Sequence, residues 1–210
     1  MKPDISVAYS NDEKVKRSLK ASFFDGVFAS GMIGFTQEYF TPFLLLIGGT
    51  ARHVGILNAL HNLAASLTQL KSADLTAYLR YRKKMFNFIV FLQAFILLPM
   101  CLAALYCFAS PFVFISLVVF FAGFGALALP AWGSLMSDLV PVDKRGVYFG
   151  WRNKITGLIT VLVTLLAGLI LNEVGSVNRF AAFAILFGSA FIFRLASWYF
   201  LTRMHEPALK

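Results

Sequence analysis

The sequence predicts an all-α membrane protein, with six transmembrane helices folded as two inverted three-helix repeats. Three observations carry that expectation. Hydrophobic residues make up 59% of the chain and charged residues 14%, too apolar a balance for a soluble core of this length. Six continuous apolar runs, at 21–47, 54–70, 85–108, 112–135, 155–171 and 180–201, meet or approach the ~20 residues that cross ~30 Å of hydrocarbon. The connections between them alternate between basic and nearly uncharged, and only Arg52 and Arg179 fall in the odd-numbered ones. That is a positive-inside asymmetry, with both termini expected in the cytoplasm and the bundle in a plasma or bacterial inner membrane. The runs lack period-2 alternation, which excludes a closed barrel. The net charge of +9 is explained by basic loops meeting an anionic leaflet rather than by nucleic acid.

Residues 1–20 form a polar cytoplasmic segment carrying Lys2, Lys14, Lys16, Arg17 and Lys20. Ser10 and Glu13 have the spacing of a capping box. No cleavable leader is expected, because the first apolar run is too long for one. Gly48, Gly49 and Thr50 end the first span. The second connection is basic, with Lys71, Arg80, Arg82, Lys83 and Lys84. The third span holds Cys101 and Cys107, which fall on different faces and are expected to pack rather than bridge or bind metal. Ser110 and Pro111 make a tight outer turn. The fourth connection carries Lys144, Arg145, Arg152 and Lys154, and the 172–178 turn contains Gly175. The bundle is bounded at 21–202, and 203–210 is a cytoplasmic tail or the start of an interdomain linker. An odd number of spans on each side of Ser110 inverts the second triplet relative to the first, the layout of nested inverted repeats. The abundant Phe residues are expected to be mostly lipid-facing.

Polar residues inside a span are costly and tend to face protein or water. In the first span, Ser30, Gly34, Gln37, Glu38 and Thr41 form one helical stripe. Glu38 is a carboxylate that takes a proton or meets a cationic substrate, or one that snorkels to the outer headgroups. The second span carries Asn58, His61, Asn62, Ser66 and Gln69 on one face, and a histidine near mid-membrane either exchanges protons near neutral pH or is a structural histidine bonded across helices. One cavity would satisfy both stripes, so Glu38, Gln37, Asn58, His61 and Asn62 are the candidate substrate or proton pathway. Asp25 reads as an interfacial or helix-packing carboxylate. Arg194 is expected to snorkel to the cytoplasm. Small residues in the fourth span (Gly123, Ala126, Pro130, Gly133, Ser137) and the fifth (Asn153, Gly157, Thr160, Thr164, Gly168) suit close helix packing.

The fourth connection places Asp138, Pro141, the pair Arg145-Gly146, the pair Phe149-Gly150 and Arg152 in sequence. This segment resembles the loop between helices four and five of the major facilitator superfamily. In the second connection, Leu75 and Arg82 match that superfamily's signature, while its Asp falls on Ala77 and its Gly positions on Ala73 and Arg80. The resemblance implies the N-terminal six-helix half of a two-half transporter, with His205, Glu206 and Pro207 opening the linker to the other half. It also implies an inner-loop gate drawn from Asp138, Arg145, Arg152 and Arg82. An ion pair of Asp138 with Arg145 or Arg152 is expected.

The function expected is therefore secondary transport of a small solute by alternating access. Its partners would be the lipid bilayer, a small-molecule substrate, a coupling ion (proton or sodium), and a second six-helix half or a homodimer partner. No cofactor is expected, and no nucleotide-binding Gly-x-x-x-x-Gly-Lys-[Ser/Thr] run occurs. Two alternatives differ in class. A truncated or non-transporting membrane scaffold would show no flux in proteoliposomes. An intramembrane enzyme would need a catalytic pair, and neither His-Glu-x-x-His nor carboxylates at a fixed spacing occur.

Overall fold

A computed structural model describes residues 13–78, 82–107 and 110–206, without the side chains of 71–78. Ser10 and Arg80, and the side chains of Lys71, Asp74 and Leu75, therefore lie outside the described residues. So do Phe108 at the end of the third expected span and Pro207 in the tail. Among the described residues the chain is helical: α1 (Glu13–Thr36), α2 (Phe40–Leu46), α3 (Ala51–Tyr78), α4 (Arg82–Tyr106), α5 (Pro111–Leu139), α6 (Arg145–Val177) and α7 (Arg179–Thr202). Single 3-10 turns at Gln37–Tyr39 and Val142–Lys144 lead into α2 and α6. Three whole helices (α4, α5, α7) and the segment Val142–Val177 are long and apolar enough to cross a membrane. With 24 and 28 residues, α1 and α3 have the length, but the polar stripes lower their apolarity.

The helices pack as an up-and-down bundle with two chemically distinct ends. At the basic end the starts of α1, α4 and α6 meet the ends of α5 and α7. Tyr148 donates to the Leu19 carbonyl at 3.3 Å, and the His205 amide donates to Ser18 Oγ at 2.8 Å. At the opposite end the ends of α2 meet the starts of α3, α5 and α7, with His53 edge-on to Phe112. Within the bundle α1 packs on α6 and α7, while α5 packs on α3 and α4, and α4 also packs on α7. Ser110 caps α5 by accepting from the Val113 amide at 3.3 Å, with Pro111 in the first turn, where its missing N–H has no helical partner to lose.

Three expectations need correction. The first span is not one continuous helix. Pro42 has no amide for the Glu38 carbonyl, and its ring clashes with that carbonyl in an α-helix; the chain breaks into a 3-10 turn at Gln37–Tyr39. Nor are the Phe residues mainly lipid-facing bulk. Phe43 is fully buried, with the rings of Phe114, Phe183 and Phe187 at centroid distances of 4.8–5.2 Å. Such edge-on clusters fill a core that lipid cannot enter. The sixth helix element also starts earlier than the apolar run. It begins at Arg145, so Gly146 and Gly150 are helical, with open space where a Cβ would project.

Close helix approach occurs at other glycines. A Cβ on Gly34 would lie 2.8 Å from Val163 Cβ and 3.0 Å from the Thr160 carbonyl. Gly31 leaves room for the Phe193 ring. These positions let α1 lie close against α6 and α7. Gly133, from the expected small-residue stripe, meets nothing within 4 Å. Gly34→Ala should therefore destabilise the purified protein by about 1–3 kcal/mol through overpacking. Gly133→Ala should be neutral or stabilising by about 1 kcal/mol through helix propensity. Thermal unfolding in detergent checks both, and equal melting temperatures for the two variants would contradict the packing described.

Candidate functional site

The break at Pro42 divides the first polar stripe between two cavities. Near the opposite end, a cavity of about 170 Å³ gathers Gln37 and Thr41 with Asn58, His61 and Asn62 of α3. Its floor is apolar, from Phe40, Leu57 and Val118. Four of the five expected pathway residues thus come together, their amides and imidazole supplying both donors and acceptors. Glu38 is exposed on the 3-10 turn and is not part of this lining. Its neighbour Tyr39 turns inward and donates to the Thr164 carbonyl at 2.6 Å, which pins the turn to α6.

Ser30 of the same stripe lines a second, larger cavity of about 300 Å³ toward the basic end, together with Asp25, Trp132, Arg152, Thr156 and Arg194. Asp25 and Arg194 are 5% and 8% exposed. Arg194 does not snorkel: it donates to Gln93 Oε1 and, at 3.2 Å, to Ser197 Oγ. Ser197 in turn donates to Asp25 Oδ1 at 2.7 Å. Gln93 closes the chain by donating to the Phe121 carbonyl at 3.0 Å. Arg152 reaches the cavity from α6, donating to the Ser22 carbonyl at 3.3 Å and standing 3.6 Å from Asp25 Oδ2. Its guanidinium lies 4.6 Å from the centre of the Trp132 ring, within cation–π range. Along the sequence Asp25 and Arg194 stand in separate spans, and Gln93 is a single polar residue in an apolar run. The available signal was depth: opposite charges sit at similar distances from the basic ends of the first and last apolar runs, and neither is tolerable there alone.

Asp138 pairs with Arg82, not with Arg145 or Arg152. Arg82 donates through Nη2 to Asp138 Oδ2 and through Nη1 to Ser134 Oγ, both at 2.7 Å. Its Nε lies 3.7 Å from Glu206 Oε1, and Glu206 accepts from the Lys83 amide at 3.4 Å. One buried guanidinium thus holds together the start of α4, the end of α5 and the segment after α7. Arg145 instead closes the end of α5, donating to the carbonyls of Ser137 at 2.5 Å and Val140 at 3.1 Å. Those carbonyls lack helical partners, and a cation there also matches the helix dipole. Ion-pair formation follows reach: Arg82 starts α4 beside the last turn of α5, whereas Arg145 is folded back onto backbone.

Because Asp138 is 45% exposed on its side chain, the pair is weaker than a fully buried one. Removing either partner should cost about 2 kcal/mol. Arg82→Gln and Asp138→Asn should be non-additive in a double-mutant cycle read by thermal unfolding, while Asp143→Asn, on an exposed turn, should change nothing measurable. Additive effects at 82 and 138 would show that the contact carries no energy.

The sequence profile of the Major Facilitator Superfamily matches residues 26–210. No curated protein and no solved structure gives a significant match. The profile begins just after Asp25 and covers the rest of α1, the other helices that line the cavities, the Arg82–Asp138 pair and the loop between α5 and α6; with the apolar helices it identifies a membrane protein of transporter type. By that match over most of its length, the chain belongs to the Major Facilitator Superfamily.

Proposed function

We propose that the chain is one six-helix half of a secondary transporter working by alternating access, with a second six-helix half or a second copy as the other wall. The observation that carries this reading is the gathering of Gln37, Asn58, His61 and Asn62 around one cavity in a chain of this family. These residues, with Glu38 as the nearest exposed carboxylate, form the substrate or proton pathway. α1 with α2 and α3 count as the remaining two spans. The packing pattern supports the inverted repeat: α1 lies against α6 and α7 as α5 lies against α3 and α4, which is what exchanging the first and second triplets would produce. Arg82 and Asp138 act as a gate at the basic end, which faces the cytoplasm.

Alternating access requires the two cavities to open on opposite sides and at each other's expense. In membrane vesicles, Asn58→Cys should label with an impermeant maleimide from outside and Ala29→Cys from inside. Adding Arg82→Gln should raise inside labelling and lower outside labelling. Ser176→Cys should label only from outside and Asp143→Cys only from inside. Labelling unaffected by Arg82→Gln would favour a static scaffold. In proteoliposomes holding both halves, His61→Gln and Glu38→Gln should abolish or uncouple proton- or sodium-driven uptake of whichever solute the wild type accumulates. Undiminished, still ion-dependent uptake in both variants would remove these residues from the pathway.

A further inference from the structure

The charged cavity near the basic end shares no lining residue with the polar one, and its charge does not balance. Two guanidinium groups, Arg152 and Arg194, share it with one carboxylate, Asp25. The mismatch is not relieved by hydrogen bonding. Arg194 spends its Nη groups on neutral partners, Gln93 and Ser197, and its buried Nε has no partner. The indole Nε1 of Trp132, also lining the cavity, is buried without an acceptor. Asp25 accepts its hydrogen bond from Ser197 and stands 3.6 Å from Arg152, so no short bond commits Arg152 to it. A buried cation short of partners is strongly unfavourable. The unmet demand is for an acceptor carrying negative charge.

The rest of the lining is apolar, with Ile33, Val90 and Leu129 among it. An apolar wall disfavours a hydrated inorganic ion and favours an anion with an apolar body. The cavity's volume of about 300 Å³ lies at the small end of ligand sites. We propose that this cavity binds a small organic anion, its carboxylate taken by Arg194, Arg152 and the Trp132 indole N–H, with Asp25 as the resident competitor for the same two cations. The proposal stands on this cavity alone: a chain that binds the anion but moves no solute would leave it intact.

The test uses the full chain in nanodiscs of pure phosphatidylcholine, which contain no anionic headgroup. Calorimetric titration with benzoate and with its neutral isostere benzamide should give heat for benzoate only. Arg194→Gln should weaken benzoate binding by about 30-fold or more, since it removes one partner of a buried charge contact. Asp25→Asn should act in the opposite direction, tightening binding by about tenfold through loss of the competitor. That second variant keeps the test decisive if Arg194→Gln fails to fold. Equal binding of benzamide, or weaker benzoate binding in Asp25→Asn, would overturn the proposal. Complete displacement of benzoate by equimolar chloride would assign the cavity to inorganic anions instead. Loss of benzoate binding in discs containing phosphatidylglycerol would assign it to a lipid headgroup.

Discussion

A charge placed inside an apolar bundle must find a partner or water, and the basic half of this molecule is organised by how it meets that demand. Asp25 on α1, Arg194 and Ser197 on α7, and Gln93 on α4 form one hydrogen-bonded chain. Arg152 adds α6 to the same cluster. Four helices are thereby tied through groups that would each be costly alone. Directional bonds of this kind specify which helices meet and in what rotation, which apolar packing by itself leaves loose.

A second set of ties acts where the helices emerge. Arg82 joins α4, α5 and the segment after α7, and Arg145 closes the exposed carbonyls at the end of α5. The two arginines do different physical work. Arg82 spans elements distant in sequence. Arg145 is local and finishes a helix. Only the former couples the position of one helix to another.

The opposite half is built differently. Its core is an aromatic cluster around Phe43, Phe114, Phe183 and Phe187, with α1 drawn close to its neighbours by Gly31 and Gly34. The 3-10 turn ahead of Pro42 joins the two parts of the first span. It rotates Gln37 and Thr41 toward α3 and leaves Ser30 facing the charged cavity. One helical stripe in the sequence therefore serves two separate spaces.

Much of the architecture was legible in the chain because hydrophobic length and loop charge are local properties. The all-helical class and the clustering of Asn58, His61 and Asn62 follow from spacing along single helices, and the loop motif from Asp138 to Arg152 carries the family resemblance. The stripe in the first span was legible too, but the 3-10 turn at Gln37–Tyr39 breaks its helical phase and turns Glu38 away. What only the tertiary structure decided is pairing. Arg82 rather than Arg145 or Arg152 meets Asp138, Arg194 turns inward rather than to solvent, and Glu38 stands apart from Gln37. Each of these depends on which side chains from distant elements come within a few ångströms. A single sequence reports how far a residue lies along its helix, but not the rotation and crossing of the helix it faces.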